Sequence, residues 1–251
     1  MKLEQFFQAV PKAAAAFSGG TDSAFLLWAA RQYRCDVHAY YIKTAFQPEF
    51  ELEDAKRVAA ELDIPLTVIP VDILSCPDVV SNGEKRCYFC KKELFSALKK
   101  QAVLDGYTVL MDGTNASDEE TDRPGMQALK ELDVRSPLRE CKITKEQVRQ
   151  KAREAGLFLW DKPAYACLAT RIPVGRRIIE EELRRIEEAE DRLAGLGLRD
   201  FRVRLQEHGA KLQVTEKQMS VVFENRTGIR DVLLPLFGGA CLDLAERNPS
   251  K

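Results

Sequence analysis

Two segments of this sequence carry residue types suited to binding phosphate groups. The first consists of consecutive small or polar residues, Ser18, Gly19, Gly20, Thr21, Asp22 and Ser23. Glycine lets the backbone approach a ligand closely, and short polar side chains satisfy exposed N–H groups where a helix begins. A helix N-terminus also offers oriented donors and a positive dipole end to an anion. These residues predict a phosphate-binding loop, with an ordinary glycine-rich turn as the alternative.

The second segment follows another apolar run. It contains Asp112, Gly113, Thr114 and Asn115, with Asp118, Asp122 and Arg123 downstream. Doubly wound α/β sheets bind ligands beyond the carboxyl ends of their strands, where this segment would lie. The same composition is typical of a polar loop rich in turn formers. Beside a phosphate-binding loop, we interpret the segment as a second nucleotide-binding loop.

Three of the seven cysteines form a pattern that indicates metal chemistry. Cys87 and Cys90 form a CxxC motif, and Cys167 lies far downstream in an irregular segment. A CxxC motif occurs in redox pairs, zinc sites and iron–sulfur clusters. Structural zinc usually takes four protein ligands, but the two histidines, His38 and His208, lie in an apparent strand and hairpin. Three cysteines fit better with a [4Fe-4S] cluster that leaves one iron open.

The remaining cysteines are isolated, and an isolated cysteine usually packs as a small hydrophobic residue. They are Cys35, Cys76, Cys141 and Cys241. An odd number of cysteines in a chain of 251 residues does not favour a disulfide scaffold. Metal-binding or catalytic cysteines are therefore the more informative interpretation.

The composition indicates a globular protein with no general affinity for nucleic acid. Residues are 45% hydrophobic and 31% charged, and the formal net charge is -1. Nucleic-acid-binding domains usually carry a basic excess. No apolar run approaches the roughly 18 residues that a membrane span needs, and the N-terminus lacks the pattern of a secretory signal. We expect a cytoplasmic protein with no membrane or nucleic-acid partner.

The elements that would position these residues follow a βαβ pattern in the first half of the chain. Apolar runs alternate with amphipathic stretches, which predicts an α/β fold with a doubly wound parallel sheet. The predicted strands are 13–17, 37–42, 66–71 and 108–112, and the predicted helices are 23–32, 50–62, 88–104 and 145–155. Thr144 would cap the last of these helices, and Gly156 would end it.

The second half predicts a small α+β domain. An irregular segment at 163–175 precedes a charged helix at 179–196, two alternating strands at 201–206 and 211–214, and a helix at 218–225. A last apolar segment ends at 239–244. We predict two domains, residues 1–170 and residues 171–251, with the nucleotide-binding loops in the first.

Taken together, these motifs resemble those of a known family. The first loop lacks the Gly-Lys-Ser/Thr of a Walker A motif and resembles the PP-loop of ATP pyrophosphatases. SGGTDS, RCYFCKKELF, DGTNASDEETDRPG, KPAYACLATRIPVG and the late RVR resemble, in this order, the LarE family. Members of that family are ATP-dependent sulfur transferases that build the pyridinium dithiocarboxylate nucleotide of the nickel-pincer cofactor. The resemblance runs along nearly the whole chain.

The resemblance implies a two-step reaction. ATP with Mg2+ adenylates a carboxylate of pyridinium-3,5-biscarboxylic acid mononucleotide, sulfide attacks the acyl-adenylate, and a thiocarboxylate results. Asp22 would help to position Mg2+. In one branch of the family a single cysteine gives up its own sulfur; in the other, that cysteine and a CxxC ligate a [4Fe-4S] cluster. Cys167 together with Cys87 and Cys90 resembles the cluster type, with Cys167 as a catalytic residue.

The nucleotide substrate implied by the resemblance carries a phosphate, so a cationic pocket is expected. Arg202 and Arg204 alternate on a predicted strand and would share a face, and Arg171 follows Cys167 closely. Guanidinium groups bind phosphate bidentately. Glu190 joins this set by alignment with a family position. The resemblance also implies a homo-oligomer and a supply of sulfide, free or from a donor protein.

Three other functions fit parts of the pattern. A tRNA thiolase shares the PP-loop and can use three cysteines, but usually adds a basic surface or an RNA-binding appendage. An amide-forming ligase would need an ammonia source such as a glutaminase domain, for which 251 residues leave no room, although a partner could supply it. A degenerate ATP-sensing protein would bind ATP without releasing pyrophosphate, and the intact loop at residues 18–23 argues against it.

Overall fold

A computed structural model describes residues 1–118 and 124–247. The chain forms two compact units that are not contiguous in sequence. The first unit consists of Met1–Ile73 and Lys85–Lys162, and the second of Leu74–Glu84 and the chain from Pro163 onward. The two domains with a boundary at residue 170 stay a prediction. None of the described helices is both long and apolar enough to cross a membrane.

The strands and helices predicted for the first half are present in the predicted order, and four further helices that were not predicted occur among the described residues. The strands are β1 (Lys12–Ala16), β2 (Asp36–Lys43), β3 (Leu66–Pro70), β4 (Leu110–Met111), β5 (Arg202–Gln206), β6 (Gly209–Gln213) and β7 (Ala240–Leu242). The helices are α1 (Leu3–Ala9), α2 (Thr21–Gln32), α3 (Glu49–Glu61), α4 (Pro77–Val80), α5 (Arg86–Leu104), α6 (Pro124–Glu131), α7 (Pro137–Glu140), α8 (Lys145–Glu154), α9 (Glu180–Gly195), α10 (Met219–Glu224) and α11 (Arg226–Phe237).

The first unit is built on a parallel sheet with the strand order β3-β2-β1-β4. The chain moves outward from β1 to β3 and then returns to the other side of β1. This reversal between β1 and β4 is a topological switch point, where doubly wound sheets open a crevice for ligands. The predicted α/β class with a parallel sheet is confirmed.

Helices cover both faces of this sheet. Ala13 and Ala15 of β1 belong to a core that includes α2, α3 and α8, whereas Ala14 packs with Leu98 and Ala102 of α5. Side chains of a strand point alternately to its two faces, so β1 is buried on both. Alanine is a poor strand former in general. Here its small side chain suits a central strand with helices on either side.

The predicted signals at the ends of α8 are confirmed. The Thr144 side chain accepts a hydrogen bond from the Gln147 backbone, and the Gln147 side chain in turn accepts one from the Thr144 backbone. This is a capping box, which satisfies two of the N–H groups exposed at a helix start. Gly156 follows the helix with φ of +74° and donates to the Arg153 carbonyl. The αL conformation ends the helix at low steric cost because glycine has no Cβ.

The second unit contains a small sheet with the order β5-β6-β7. β5 and β6 form an antiparallel hairpin, and β7 pairs parallel to β6. Leu193 of α9, Leu212 of β6 and Leu233 of α11 share one hydrophobic core. The α+β character matches the sequence pattern. However, the sequence pattern did not predict α11 as a helix distinct from the last apolar segment. This helix contains Pro235 in its interior.

Candidate functional site

The loop at residues 18–23 joins β1 to α2 and is closed by its own serines. Gly19 has φ of +74°, and a Cβ there would lie 2.5 Å from the Glu51 carbonyl oxygen. Ser18 and Ser23 share a hydrogen bond between their hydroxyls at 3.1 Å, and the Ser23 hydroxyl lies 3.1 Å from the Gly20 carbonyl. α2 begins at Thr21 directly after this loop, and the first N–H groups of a helix are not used within the helix. This is the arrangement that an anion needs.

The second predicted loop lies directly against the first. A Cβ on Gly113 would lie 2.8 Å from the Ser23 backbone nitrogen, so only glycine fits without displacing the start of α2. Asp112 accepts hydrogen bonds from the Thr114 hydroxyl at 2.5 Å and from the Ser136 hydroxyl at 2.7 Å. The structure therefore brings the two segments together. Asp122 and Arg123 lie outside the described residues.

Asp22 is a partly buried carboxylate at this junction. No described group donates a hydrogen bond to its Oδ1 atom, which is buried. Burial, and next the charge of Asp118, raise its pKa to about 6, although Lys145, Arg149 and a hydrogen bond from Asn115 act in the opposite direction. A buried carboxylate oxygen without a donor, close to a second carboxylate, is a donor set that suits Mg2+.

A cavity of about 540 Å³ opens at the switch point. The phosphate loop lines it with Ser18, Gly20, Asp22 and Ser23. The second loop contributes Asp112, Gly113, Thr114 and Asp118, and α5 contributes Cys87, Lys91, Leu94, Phe95 and Leu98. The volume lies in the range of pockets that hold ligands of nucleotide size. Polar residues of the two loops and residues of α5 therefore line the same cavity of the first unit.

The sequence did not indicate that Lys162 belongs to this site. Its Nζ atom donates to the Gly19 carbonyl at 3.1 Å and to Oδ2 of Asp54 at 2.7 Å. The Thr21 hydroxyl donates to the Leu159 carbonyl at 2.6 Å. The segment from Leu159 to Lys162 is thus tied to the phosphate loop across more than 130 positions of sequence. No local sequence pattern could reveal these contacts, because neither the lysine at 162 nor the threonine at 21 is an unusual residue type in a loop.

The CxxC motif lies at the start of α5. Cys87 is exposed and lines the cavity, and Cys90 is partly buried. Their i, i+3 spacing on a helix places both thiols on one face. Within residues 1–118 and 124–247, no three His, Cys, Asp or Glu side chains are arranged to hold a metal ion. The first unit contains Cys87 and Cys90, and the second contains Cys167.

The four isolated cysteines differ in burial, with Cys76 and Cys141 partly buried. Cys35 is buried and donates to the Val10 carbonyl, and burial raises its pKa to about 11, as expected of an inert core thiol. Cys241 lies on β7 and is exposed, so the expectation that it packs as a hydrophobic residue is wrong. His38 lies within 2.8 Å of the Thr67 hydroxyl and stacks on Tyr40, which is a structural role.

The loop that carries Cys167 is held by a buried ion pair of the second unit. Arg171 contacts Glu190 through two nitrogens, each 3.0 Å from a carboxylate oxygen. Its third nitrogen, Nη1, lies 2.6 Å from the Ala166 carbonyl oxygen and 3.3 Å from that of Cys167. Glu190 also accepts from the Tyr165 hydroxyl at 2.6 Å. Two buried charges are therefore compensated by each other and by the backbone.

Arg202 and Arg204 point from β5 toward the same loop, as their alternation predicts. Arg202 donates to the Ala164 carbonyl, and Arg204 donates to the Thr170 carbonyl at 2.6 Å. Burial, followed by the charges of Arg171 and Arg247, lowers the pKa of Arg202 to about 10. Guanidinium groups that repel one another favour a bound anion. The role of Arg171, Glu190, Arg202 and Arg204 in binding a substrate phosphate stays a prediction.

Comparisons with known proteins cover both units. Residues 12–81 match the family model of the queuosine biosynthesis protein QueC. The chain is 38% identical over 219 residues to the uncharacterized protein slr1717 of Synechocystis sp., covering 86% of this chain and 81% of that protein. It is 31% identical over 234 residues to the pyridinium-3,5-bisthiocarboxylic acid mononucleotide synthase of Lactiplantibacillus plantarum, covering 89% of this chain and 85% of the synthase.

Proposed function

Because this chain belongs to the LarE family of PP-loop ATP pyrophosphatases, we propose that it is an ATP-dependent sulfur transferase of nickel-pincer cofactor biosynthesis. Its substrate is pyridinium-3,5-biscarboxylic acid mononucleotide, and its products are a thiocarboxylate, AMP and pyrophosphate. The observation that carries the proposal is the cavity in which the phosphate loop, the second loop and Cys87 meet. The similarity to the Lactiplantibacillus plantarum synthase supports the choice of substrate.

In the first half-reaction a carboxylate oxygen of the substrate attacks the α-phosphorus of ATP, and pyrophosphate leaves with the electron pair of the broken P–O bond. The N–H groups that begin α2 and the loop 18–23 stabilise the departing charge. Asp22, with Asp118 nearby, would hold Mg2+, which when bound neutralises charge on the phosphates. Adenylation replaces a poor leaving group on the acyl carbon by AMP.

In the second half-reaction a sulfur nucleophile attacks the acyl carbon, the C–O bond to AMP breaks, and AMP leaves. Cys87, Cys90 and Cys167 are the residues that would hold a [4Fe-4S] cluster, because they offer three thiols and no histidine accompanies them. When bound, such a cluster supplies an iron with an open position for hydrosulfide. Arg171 holds the backbone carbonyls of Ala166 and Cys167, on either side of the Cys167 thiol. Sulfide comes from solution or from a donor protein.

The experiment begins with anaerobic purification and measurement of bound iron and acid-labile sulfide. We expect about four of each per chain for one [4Fe-4S] cluster, and their loss when Cys87, Cys90 or Cys167 is replaced by alanine. Cys241→Ala is the matched control, since Cys241 is exposed and lies on β7. Absence of iron after reconstitution contradicts the cluster. Cys167 would then be the sulfur donor, and the protein would lose the mass of one hydrogen sulfide molecule after turnover.

Turnover itself distinguishes the acceptors. The protein is incubated with ATP, Mg2+, sulfide and either the pyridinium biscarboxylate nucleotide or unmodified tRNA. We expect AMP, pyrophosphate and a thiocarboxylate nucleotide with the first acceptor, and no thiolated tRNA with the second. Thiolated tRNA would establish the tRNA thiolase instead. ATP binding without pyrophosphate release would establish an ATP-sensing protein.

A further inference from the structure

The backbone of the loop that carries Cys167 contains little regular structure. Its one regular element is the short 3-10 turn Leu168–Arg171. Backbone groups that are buried outside helices and sheets need side chains or other loops as partners. Arg171 serves the N-terminal part of the loop, at Ala166 and Cys167. The C-terminal part is served by a residue that lies about ninety positions earlier in the sequence.

That residue is Asn82, which is fully buried at 0% exposure. Its Nδ2 atom donates to the Pro173 carbonyl at 2.8 Å and to the Arg176 carbonyl at 3.0 Å. The Ile172 carbonyl oxygen lies 3.4 Å from the same nitrogen. A carboxamide has two N–H donors, so both are used on the segment 172–176. We call this segment the clamped segment.

The backbone around Asn82 strengthens the same attachment. The Gly175 N–H donates to the Asn82 carbonyl at 2.9 Å, and the Ile178 N–H donates to the Val80 carbonyl at 2.8 Å. Asn82 adopts φ of +56°, in the left-handed region that asparagine tolerates better than most residues. The position therefore requires a left-handed backbone and a side chain with two donors together. Among the standard residues, asparagine meets both requirements with the shortest side chain.

A continuous turn connects the clamped segment to Cys167. The Thr170 N–H donates to the Cys167 carbonyl at 3.0 Å, and the Ile172 N–H donates to the Ala169 carbonyl at 3.3 Å. The Thr170 hydroxyl donates to the Cys167 carbonyl as well, at 2.8 Å. One hydrogen-bonded turn therefore links residue 172 to the cysteine.

We propose that Asn82 is a positioning residue for the sulfur-transfer step, which it serves by fixing the clamped segment and, through the 3-10 turn, the Cys167 thiol. The inference rests on the proposed function, because only sulfur transfer gives Cys167 a chemical role. Asn82 belongs to the second unit, whereas the loops that bind ATP belong to the first. Loss of its carboxamide should therefore impair sulfur transfer and leave adenylation intact.

Asn82→Gly isolates the side chain, because glycine keeps the left-handed backbone at no steric cost. Pyrophosphate release and thiocarboxylate formation are measured in parallel with ATP, sulfide and the pyridinium biscarboxylate nucleotide. We expect pyrophosphate release at the wild-type rate and thiocarboxylate formation lowered roughly 10- to 100-fold, the effect of misplacing a reacting group by about 1 Å. Lys142→Gly is the matched control. Lys142 is exposed, has φ of +57°, and lies outside the loop that carries Cys167 and outside the two loops proposed to bind ATP. It should change neither rate.

Equal rates of both steps in Asn82→Gly and wild type would overturn the inference, and so would a folded variant in which both steps fall together. If Asn82→Gly does not fold, the ratio of thiocarboxylate to pyrophosphate is measured in Asn82→Asp, which keeps the shape and offers no donor when ionised and one donor when protonated. Relative to wild type at the same pH, its thiocarboxylate yield per pyrophosphate should therefore rise as the pH falls. A wild-type protein that forms no thiocarboxylate overturns the proposed function, and this inference with it.

Discussion

At the residue scale, the position of Asp22, which we propose to bind Mg2+, carries a cost in folding stability. Its pKa is raised from 3.8 to about 6, mainly by burial and next by Asp118. A group whose pKa is raised by folding contributes stability that is fully present below its unfolded pKa, and this contribution is lost as the pH rises through the folded value. The ligand-free protein therefore carries an unfavourable buried charge at pH 8. Binding sites often retain such strain.

Replacing Asp22 by asparagine should stabilise the ligand-free protein at pH 8 and abolish pyrophosphate release. A shift of about two pKa units corresponds to roughly 3 kcal/mol at most, so we expect a gain on the order of 1–3 kcal/mol in the free energy of unfolding. The gain should be smaller at pH 5, where wild-type Asp22 is largely protonated. Denaturant unfolding in EDTA at both pH values measures it. A variant less stable than wild type at pH 8 would contradict the argument.

The buried ion pair between Arg171 and Glu190 predicts that the free energy of unfolding depends on the negative charge of Glu190. Glu190→Gln leaves the buried Arg171 guanidinium without its compensating charge, and removal of one partner from a buried pair costs about 3–5 kcal/mol. The control is Glu188→Gln on the same helix, where an exposed i, i+4 pair with Arg192 is lost. That change should cost no more than about 0.5 kcal/mol. Unfolding curves that show equal effects would refute the assignment of Glu190 as a buried structural charge.

At the scale of elements, the two loops predicted to bind nucleotide are in close backbone contact. Gly113→Ala would place a Cβ 2.8 Å from the Ser23 backbone nitrogen and 3.0 Å from its Cα. Backbone atoms at the start of a helix cannot move aside as a flexible side chain can. Overpacking of this kind costs about 1–3 kcal/mol, and we expect pyrophosphate release to fall by about 10-fold or more.

Gly195→Ala is the matched control for this prediction. Apart from its chain neighbours and its own helix backbone, no described atom lies within 4 Å of the Cβ that it would add at the end of α9. Alanine in a helix is roughly 0.5–1 kcal/mol more favourable than glycine, so the control should be neutral or slightly stabilising. Stability comes from thermal unfolding and activity from pyrophosphate release. Equal activity in Gly113→Ala and Gly195→Ala would show that the contact between the loops does not matter.

Sequence alone predicted the elements with strong local signals. The four parallel strands, the capped α8 and the loop at residues 18–23 follow from periodicity, capping residues and glycine placement. α11 was missed because Pro235 and Gly228 in its interior normally argue against a helix. β4 is shorter than the predicted 108–112, since only Leu110 and Met111 pair as a strand. Tertiary packing decides such cases, and it leaves no local signal.

At the scale of the whole molecule, the second unit is built from two separate segments of the chain. Leu74–Glu84 belongs to the unit that otherwise begins at Pro163. The contacts that assign it there, such as those between Asn82 and the clamped segment, span about ninety residues. A linear reading of the sequence divides a chain at one boundary, here residue 170. It therefore could not assign this early segment to the later unit, nor predict the roles of Asn82 and Lys162.

This arrangement predicts how a shortened chain would behave. A fragment of residues 1–170 retains Leu74–Glu84 but lacks the carbonyls of Pro173 and Arg176 that Asn82 contacts, and the Ile178 N–H that donates to Val80. Amide hydrogens in 74–84 should exchange faster in the fragment than in the full chain, because protection reflects local stability. The sheet strands β1 and β2, whose partners remain, serve as the internal control. Equal protection of 74–84 in both proteins would mean that residues 1–170 form a self-sufficient domain, as a linear division of the sequence predicts.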